Sequence, residues 1–213
     1  MARIDPVRVK HWAPEYHAAL RTLAPDDARY PQARTEGRPK ALNILGTIAH
    51  HPALAKGWYP FNAHITRNTT LEQRQRELLV LRTAVLRNSE YEFEQHVFVS
   101  RDLGITDEEI ERVKSGADAP GWGELDALLL RSVDELIVDG VISRPTWDGL
   151  TAHLDVQQIL DVIFTVGTYE ILAWMISSFE VPIDDDIYEL SGRVPPRLQA
   201  QAEAVVAGEG DPG

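Results

Sequence analysis

The chain has 213 residues, of which 44% are hydrophobic and 25% are charged, and its formal net charge is -12. This composition is typical of a folded globular protein and excludes a wholly disordered one. The acidic balance argues against nucleic acid and against an anionic membrane surface, because both require clustered Lys and Arg. Since the sequence has no cysteine, disulfides, thiolate metal sites and cysteine nucleophiles are excluded, and any chemistry must use oxygen and nitrogen groups.

Helix signals run through the whole sequence, whereas the alternating pattern of strands is nearly absent, so we predict an all-α protein. Residues 1–40 are irregular and contain prolines. They are expected to form an arm around the core, with one short helix over residues 14–23. Two further helices are predicted over residues 41–50 and 52–66. The second of these carries an aromatic group made of Trp58, Tyr59, Phe61 and His64.

Capping boxes predict where later helices begin. Ser, Thr or Asp followed three residues later by Glu or Gln marks four of these starts, at residues 70–73, 89–92, 106–109 and 155–158. The corresponding helices are predicted to end near residues 87, 104, 116 and 179. Two more helices are predicted over residues 124–138 and 144–153. A sharp break at Asn88 therefore separates two consecutive helices.

Residues 162–179 are apolar enough to raise the question of a membrane span. Asp161, Glu170 and Glu180 interrupt or bracket this stretch, so we interpret it as a buried core helix and expect no membrane association. The N-terminus carries charges and Pro6 where a signal peptide would have its apolar run. A cytoplasmic location is therefore expected.

The helices are predicted to form one domain over residues 41–192, between the arm at 1–40 and a C-terminal helix with a disordered tail at 193–213. Four apolar residues can be laid over four others with a constant offset of 81: Leu78, Leu79, Leu81 and Val85 over Ile159, Leu160, Val162 and Val166. This offset suggests an internal helix-pair repeat.

Groups that transfer protons are concentrated between Glu77 and His96. Glu92 and His96 are four residues apart, which places both on one helix face, and Ser89 lies one turn earlier on that face. Glu77 meets them only if two consecutive helices pack closely. Histidine is the side chain most often used in acid–base catalysis. We therefore predict that His96 is catalytic, that Glu92 or Glu77 orients it and stabilises its charged form, and that Ser89 or a helix N-terminal amide binds a substrate carboxylate or oxyanion.

The same region resembles a known family. Three segments carry the resemblance: Arg-Gln-Arg-Glu-Leu-Leu-Val-Leu-Arg-Thr-Ala at 74–84, Asn-Ser-Glu-Tyr-Glu-Phe-Glu-Gln-His-Val at 88–97 and Leu-Gly-Ile-Thr-Asp-Glu-Glu-Ile at 103–110. They are similar to the carboxymuconolactone decarboxylase family, which includes the alkyl hydroperoxidase D (AhpD) proteins. The resemblance is strongest over residues 42–116. It implies an AhpD-like helical bundle that assembles into a homotrimer or homohexamer.

In the peroxidase branch of this family, a glutamate precedes a Cys-x-x-Cys pair and a histidine follows it. The corresponding residues here are Glu77, Ser89, Glu92 and His96, so the acid–base pair is present and both thiols are missing. A thiol peroxidase is therefore not expected. The resemblance implies instead an acid–base enzyme that needs no cofactor. Such an enzyme would be a decarboxylase or other lyase, or an isomerase or cyclase, acting on a lactone, enol or β-keto compound.

Structural roles are the alternatives to catalysis. Ser89 and Glu92 would also form a reciprocal helix cap, and Glu77 would also pair with Arg74 or Arg82. Capping is compatible with catalysis. A separate alternative is a non-catalytic ligand-binding or assembly protein that keeps the fold after losing the cysteine chemistry.

Two tyrosines are further candidates for substrate binding. Tyr59 belongs to an aromatic group that would line either a substrate pocket or the core, and Tyr91 is the neighbour of Glu92. Histidines elsewhere, at positions 11, 17, 50 and 51, lack carboxylates at helical spacing, so no metal is expected.

Overall fold

The computed structural model describes residues 2–30 and 36–195 together with Gln199, and every regular element in this part of the chain is helical. The α-helices in these residues are α1 Pro14–Leu20, α2 Leu42–Ile48, α3 Pro52–Ala63, α4 Gln73–Leu86, α5 Glu90–Asp102, α6 Asp107–Ser115, α7 Glu124–Val138, α8 Arg144–His153, α9 Val156–Phe179 and α10 Asp185–Ser191. A π-helical turn, His64–Asn68, follows α3. The all-α prediction is confirmed.

Helix α4 is the centre of the molecule. Leu78, Leu79, Val80 and Leu81 are fully buried, because α4 packs against α5, α7 and α9 on different sides. A helix covered on all sides needs apolar residues around its whole circumference, which explains this continuous run. Arg76, Glu77 and Arg82 of α4 are consequently also buried and must find partners inside the protein.

The start of α4 differs from the prediction. Thr70 does not cap it: the helix begins at Gln73, and the side chain of Gln75 accepts a hydrogen bond from the Glu72 amide at 2.9 Å. The amide and hydroxyl of Thr70 instead donate to Asp161 at 2.6 and 2.7 Å. The predicted capping box at 70–73 is therefore wrong, because a distant carboxylate takes both donors. The predicted boxes at 106–109 and 155–158 are confirmed.

Helix α9 is long and apolar enough to cross a membrane, judged by length and composition alone. Its inner face, which includes Val162, Val166 and Ala173, is buried, and the helix packs against α4 as expected for a core helix. Its other face is exposed and also apolar. We call this face the outer stripe, and its residues are Val156, Leu160, Ile163, Phe164, Ile171 and Trp174.

The N-terminal arm is held against the helices. The Val7 amide donates to the Gly46 carbonyl at 3.0 Å, and a Cβ at Gly46 would lie only 2.7 Å from the Val7 oxygen. Glycine therefore allows the arm to lie directly on α2. Further along the arm, α1 packs on α3. The domain boundaries at 41 and 192 remain predictions, and the predicted C-terminal helix and tail lie almost entirely outside the described residues.

The suggested helix-pair repeat does not extend beyond one helix. An offset of 81 places the counterpart of α5 at residues 171–183. Those residues form the second half of α9 and the loop after it, because α9 continues where α4 breaks.

Candidate active site

A tight turn joins α4 to α5 and brings their functional residues face to face. Asn88 adopts a left-handed conformation with φ of 50°, which asparagine tolerates better than most residues. The Ser89 amide then donates back to the Ala84 carbonyl at 2.9 Å. The two helices leave this turn antiparallel and in contact, so Glu77 on α4 lies opposite His96 on α5.

Glu77 and His96 form a direct hydrogen bond. The Nδ1 atom of His96 lies 2.7 Å from Oε2 of Glu77, whose side chain is completely buried. The other oxygen of Glu77 accepts from the guanidinium of Arg76, which is itself buried and also donates to the Thr66 carbonyl at 2.9 Å. The prediction that Glu77 pairs with Arg74 or Arg82 is wrong. These arginines face away from Glu77, towards Glu109 and Asp126 in one case and towards Asp134 in the other.

The surroundings fix the protonation of this pair. Burial alone would raise the pKa of Glu77, but the charges and hydrogen bonds of Arg76 and His96 outweigh it and lower the pKa below its ordinary value. Glu77 is therefore ionised at neutral pH and only accepts hydrogen bonds. Consequently Nδ1 of His96 carries a proton, and Nε2 is the nitrogen that gains or loses one.

His96 lies beside a small cavity of about 220 Å³. Its side chain is 17% exposed, and its ring meets that of Tyr169 edge to face, with centroids 5.0 Å apart. Burial raises the pKa of Tyr169, so its hydroxyl stays protonated. The described residues that line the cavity are Arg38, Thr66, Arg67, Gln73, Arg76, His96, Val99, Leu103 and Tyr169. They include three arginines and no acid.

The arginines make the cavity cationic. Burial lowers the pKa of Arg67, and the positive charges of Arg76 and Arg38 lower it further. Arg38 donates to Asp102 at 2.6 Å, and Arg76 is paired with Glu77. Three guanidinium groups gathered around so little space favour an anion.

Sequence reasoning missed these arginines and Tyr169. Arg76 is adjacent to Glu77 in the motif, so the sequence alone places it near the site. Arg38 comes from the arm, Arg67 from the π-helical turn and Tyr169 from α9, so only the tertiary structure places them at His96.

Ser89 and Glu92 do not form the predicted reciprocal cap. Ser89 is the N-cap of α5, but its side chain makes no capping bond, and within the described part of the chain neither its hydroxyl nor the Glu92 carboxyl oxygens have a hydrogen-bond partner. Burial raises the pKa of Glu92 to about 8; the nearby Ser89 hydroxyl lowers it in part, and Glu170 raises it. Glu92 is therefore mostly protonated at neutral pH. It is buried towards α9 and, with Ser89, lies outside the lining of the His96 cavity.

The two predicted substrate-binding tyrosines lie elsewhere. Tyr59 is buried between α1 and α3, where its hydroxyl is hydrogen-bonded to that of Tyr16. The Tyr91 hydroxyl donates to Asp184 at 2.5 Å and accepts from the Ile44 amide at 3.3 Å. Both hydroxyls are used within the protein, so the structure brings neither tyrosine to the cavity.

Among residues 2–30 and 36–195, no group of three or more His, Asp or Glu side chains is arranged to hold a metal ion. The arrangement found at His96 is suited to proton transfer next to a bound anion. It combines an imidazole fixed by an ionised carboxylate with cationic and hydroxyl groups around a small cavity.

Solved structures share this architecture. An uncharacterised peroxidase-related protein from Ralstonia eutropha JMP134 with an alkylhydroperoxidase AhpD core has a TM-score of 0.61 and 16% identity over 79% of this chain and 97% of that chain. A protein of unknown function from Agrobacterium tumefaciens that bears the AhpD name has a TM-score of 0.59 and 19% identity, over 64% and 94%. The debrominase Bmp8 has a TM-score of 0.68 and 9% identity, over 88% and 95%. At these identities the likeness defines the fold as AhpD-like.

Residues 52–130 match the model of the carboxymuconolactone decarboxylase family. This segment is therefore similar to the family, as the motif between Glu77 and His96 predicted. No curated protein shows significant similarity to the sequence.

Proposed function

We propose that this protein is an acid–base enzyme that acts on a small anionic carbonyl compound without a cofactor. The observation that carries the proposal is the cavity beside His96. It combines an imidazole whose Nδ1 proton is committed to Glu77 with three guanidinium groups. The family and the debrominase among its structural neighbours make a catalytic function plausible. The reaction class, a decarboxylation or an isomerisation of a lactone, enol or β-keto acid, is part of the proposal.

The arginines would bind a carboxylate of the substrate, and the protonated imidazole would supply the proton. In a decarboxylation, the bond to the departing CO₂ breaks and its electrons move into the adjacent carbonyl to form an enolate. The Nε2 proton of His96 then goes to carbon, and solvent returns a proton to the imidazole. In an isomerisation, Nε2 removes a proton and returns it to another carbon. The ionised Glu77 stabilises the imidazolium in both cases.

Glu92 would have a different role from the one expected. Because it is buried and mostly protonated, it does not stabilise the imidazolium by charge. We propose that Glu92 either donates a proton to the site or has only a structural role as a buried neutral acid. Substitution by Gln separates these roles, since Gln keeps the shape of a neutral Glu but cannot release a proton.

The test is turnover measured by NMR with a panel of carboxylated lactones, β-keto acids and enols. We expect His96→Gln to lower kcat by about 10²–10⁴-fold on whichever member reacts. His153→Gln, which changes a histidine on α8, is the matched control and should leave turnover unchanged. An active His96→Gln enzyme would contradict the proposal. Binding across the panel without any product would favour the alternative, a ligand-binding or assembly protein that keeps the fold.

We also propose that the protein is a homo-oligomer, either a trimer or a hexamer. The outer stripe of α9 supports this, because it leaves six large apolar side chains exposed on one helix face. Light scattering at micromolar concentration tests it: Trp174→Glu should reduce the measured mass, and a monomeric wild-type protein would contradict it.

A further inference from the structure

A second histidine–carboxylate pair lies at the other end of the π-helical turn. The Nε2 atom of His64 is 2.8 Å from Oδ1 of Asp161 on α9. The other oxygen, Oδ2, accepts from the Thr69 hydroxyl at 3.1 Å and from the Thr70 amide and hydroxyl at 2.6 and 2.7 Å. Three donors from the loop before α4 therefore hold the carboxylate in place, and the carboxylate holds the imidazole.

Asp161 determines which ring nitrogen of His64 is available. Burial opposes its ionisation, but the hydrogen bonds from Thr70, His64 and Thr69 outweigh this and lower its pKa. The ionised carboxylate can only accept, so Nε2 of His64 must carry a proton. In the neutral imidazole, Nδ1 is then an acceptor, and it has no hydrogen-bond partner among the described residues.

This imidazole lines a groove of about 490 Å³, a volume in the range of small-molecule sites. Phe61, Leu160 and Phe164 form the apolar walls, and the two phenylalanine rings meet edge to face with centroids 6.0 Å apart. The polar lining consists of His64, Thr70, Gln157 and Asp161. Thr70 and Asp161 are already hydrogen-bonded to each other. The Nδ1 acceptor of His64 therefore belongs to a groove whose walls are mainly apolar.

The groove is separate from the cavity at His96. None of the residues that line one of them lines the other. In the single chain the side chain of His64 is 48% exposed, and the groove opens beside the outer stripe, with which it shares Leu160 and Phe164. Ile65, the next residue, is fully buried and packs with Val80 and Tyr169. The π-helical turn thus has its first side chain in the groove and its second in the core.

We propose that this groove binds an aromatic compound that carries a phenolic or enolic hydroxyl group. Its ring lies against Phe61 and Phe164, and its hydroxyl donates to Nδ1 of His64. Hydrogen-bond complementarity selects the class: the free imidazole nitrogen accepts, and the walls are apolar. A ligand with the same ring but no hydroxyl would bury the same surface and leave the acceptor unsatisfied, which costs affinity.

Two matched probes test this proposal. 2-Naphthol has the hydroxyl, and 2-methoxynaphthalene has the same rings without a donor. In calorimetric titrations of the full chain at pH 7, we expect 2-naphthol to bind about 3–10-fold more tightly. His64→Leu should reduce that ratio to about one while 2-methoxynaphthalene binds as before, because leucine keeps the apolar contact and removes the acceptor. Wild-type melting temperature in His64→Leu verifies that the fold is intact.

A second pair of variants tests the position of the ring. Phe164→Ser should weaken both probes, whereas Ile171→Ser, which removes an apolar side chain of the outer stripe beyond the groove, should weaken neither. The proposal is overturned if neither probe binds, or if His64→Leu still binds 2-naphthol more tightly than 2-methoxynaphthalene. It is also overturned if Phe164→Ser and Ile171→Ser change the affinity for the probes equally. The last result would mean that another copy of the chain forms or covers the groove.

Discussion

Two histidine–carboxylate pairs among the described residues are joined by hydrogen bonds of nearly the same length and have very different surroundings. His96 is bonded to Glu77 at 2.7 Å through Nδ1, and His64 is bonded to Asp161 at 2.8 Å through Nε2. The first pair is enclosed and has arginines around its free nitrogen. The second is half-exposed and has phenyl rings around it. The pairing orients an imidazole in both cases, and the different residues that line the two sites are the basis for proposing an anion at one and a phenol at the other.

The largest expected difference between the two pairs is in stability. Glu77→Gln leaves the buried guanidinium of Arg76 without its counter-charge, and we expect a loss of about 3–5 kcal/mol in the free energy of unfolding. Asp161→Asn removes a charge at a more open site and keeps a hydrogen-bonding side chain, so its expected cost is about 1–2 kcal/mol. Urea unfolding measures both. Equal losses in the free energy of unfolding would show that the greater burial of the Glu77–His96 pair does not make it more important for stability.

The next effect is the pH dependence due to Glu92, the buried acid without a partner. Its pKa is raised from the ordinary 4.5 to about 8, so between these values the native state holds a proton that the unfolded state has released. Stability should therefore fall as pH rises through this window, by about 1.4 kcal/mol per unit, and level off above it.

Glu92→Gln tests this, because an uncharged side chain cannot titrate. The slope of stability against pH between 5.5 and 8 should be flatter in the variant than in the wild type. The lowered pKa of Glu77 does not interfere, since the stability that it contributes is lost only when pH falls below the ordinary range of a glutamate. Parallel curves for the two proteins would show that Glu92 is already ionised in the native state.

The smallest expected effect concerns salt. An anion in the cationic cavity should be released as ionic strength rises, whereas a neutral alcohol in the apolar groove should not. With malonate as the anionic probe, we expect Arg67→Ala to lower affinity by about tenfold, since a charge-assisted hydrogen bond is lost. Titrations at two salt concentrations measure this. If salt changes the affinities for malonate and 2-naphthol equally, the proposed electrostatic difference between the two sites is wrong.

Local signals predicted much of this structure. The capping boxes that begin α6 and α9 are formed by neighbours in sequence, so spacing alone found them. The facing of Glu77 and His96 also follows from two consecutive helices with a short turn. The family motif marked these two residues before the structure placed them together.

What could not be predicted depends on long-range contacts. Thr70 has the spacing of a helix cap, but its donors go to Asp161. Tyr59 precedes the motif helix, yet its hydroxyl is bonded to Tyr16 of the arm. Arg38 reaches the cavity from a segment without a regular pattern. In each case the partner is dozens of residues away, and a sequence pattern contains no information about which distant group will be adjacent.

The π-helical turn His64–Asn68 has one more residue per turn than an α-helix and so amounts to a one-residue insertion after α3. Its register puts His64 in the groove and Arg67 in the cavity. Deleting a single residue here would rotate everything on one side of the turn by about 100° relative to the other. A single deletion would therefore displace a lining residue from the groove or from the cavity, the two proposed binding sites. We therefore expect this five-residue segment to tolerate insertions and deletions poorly, although it lies outside the two helices that carry Glu77 and His96.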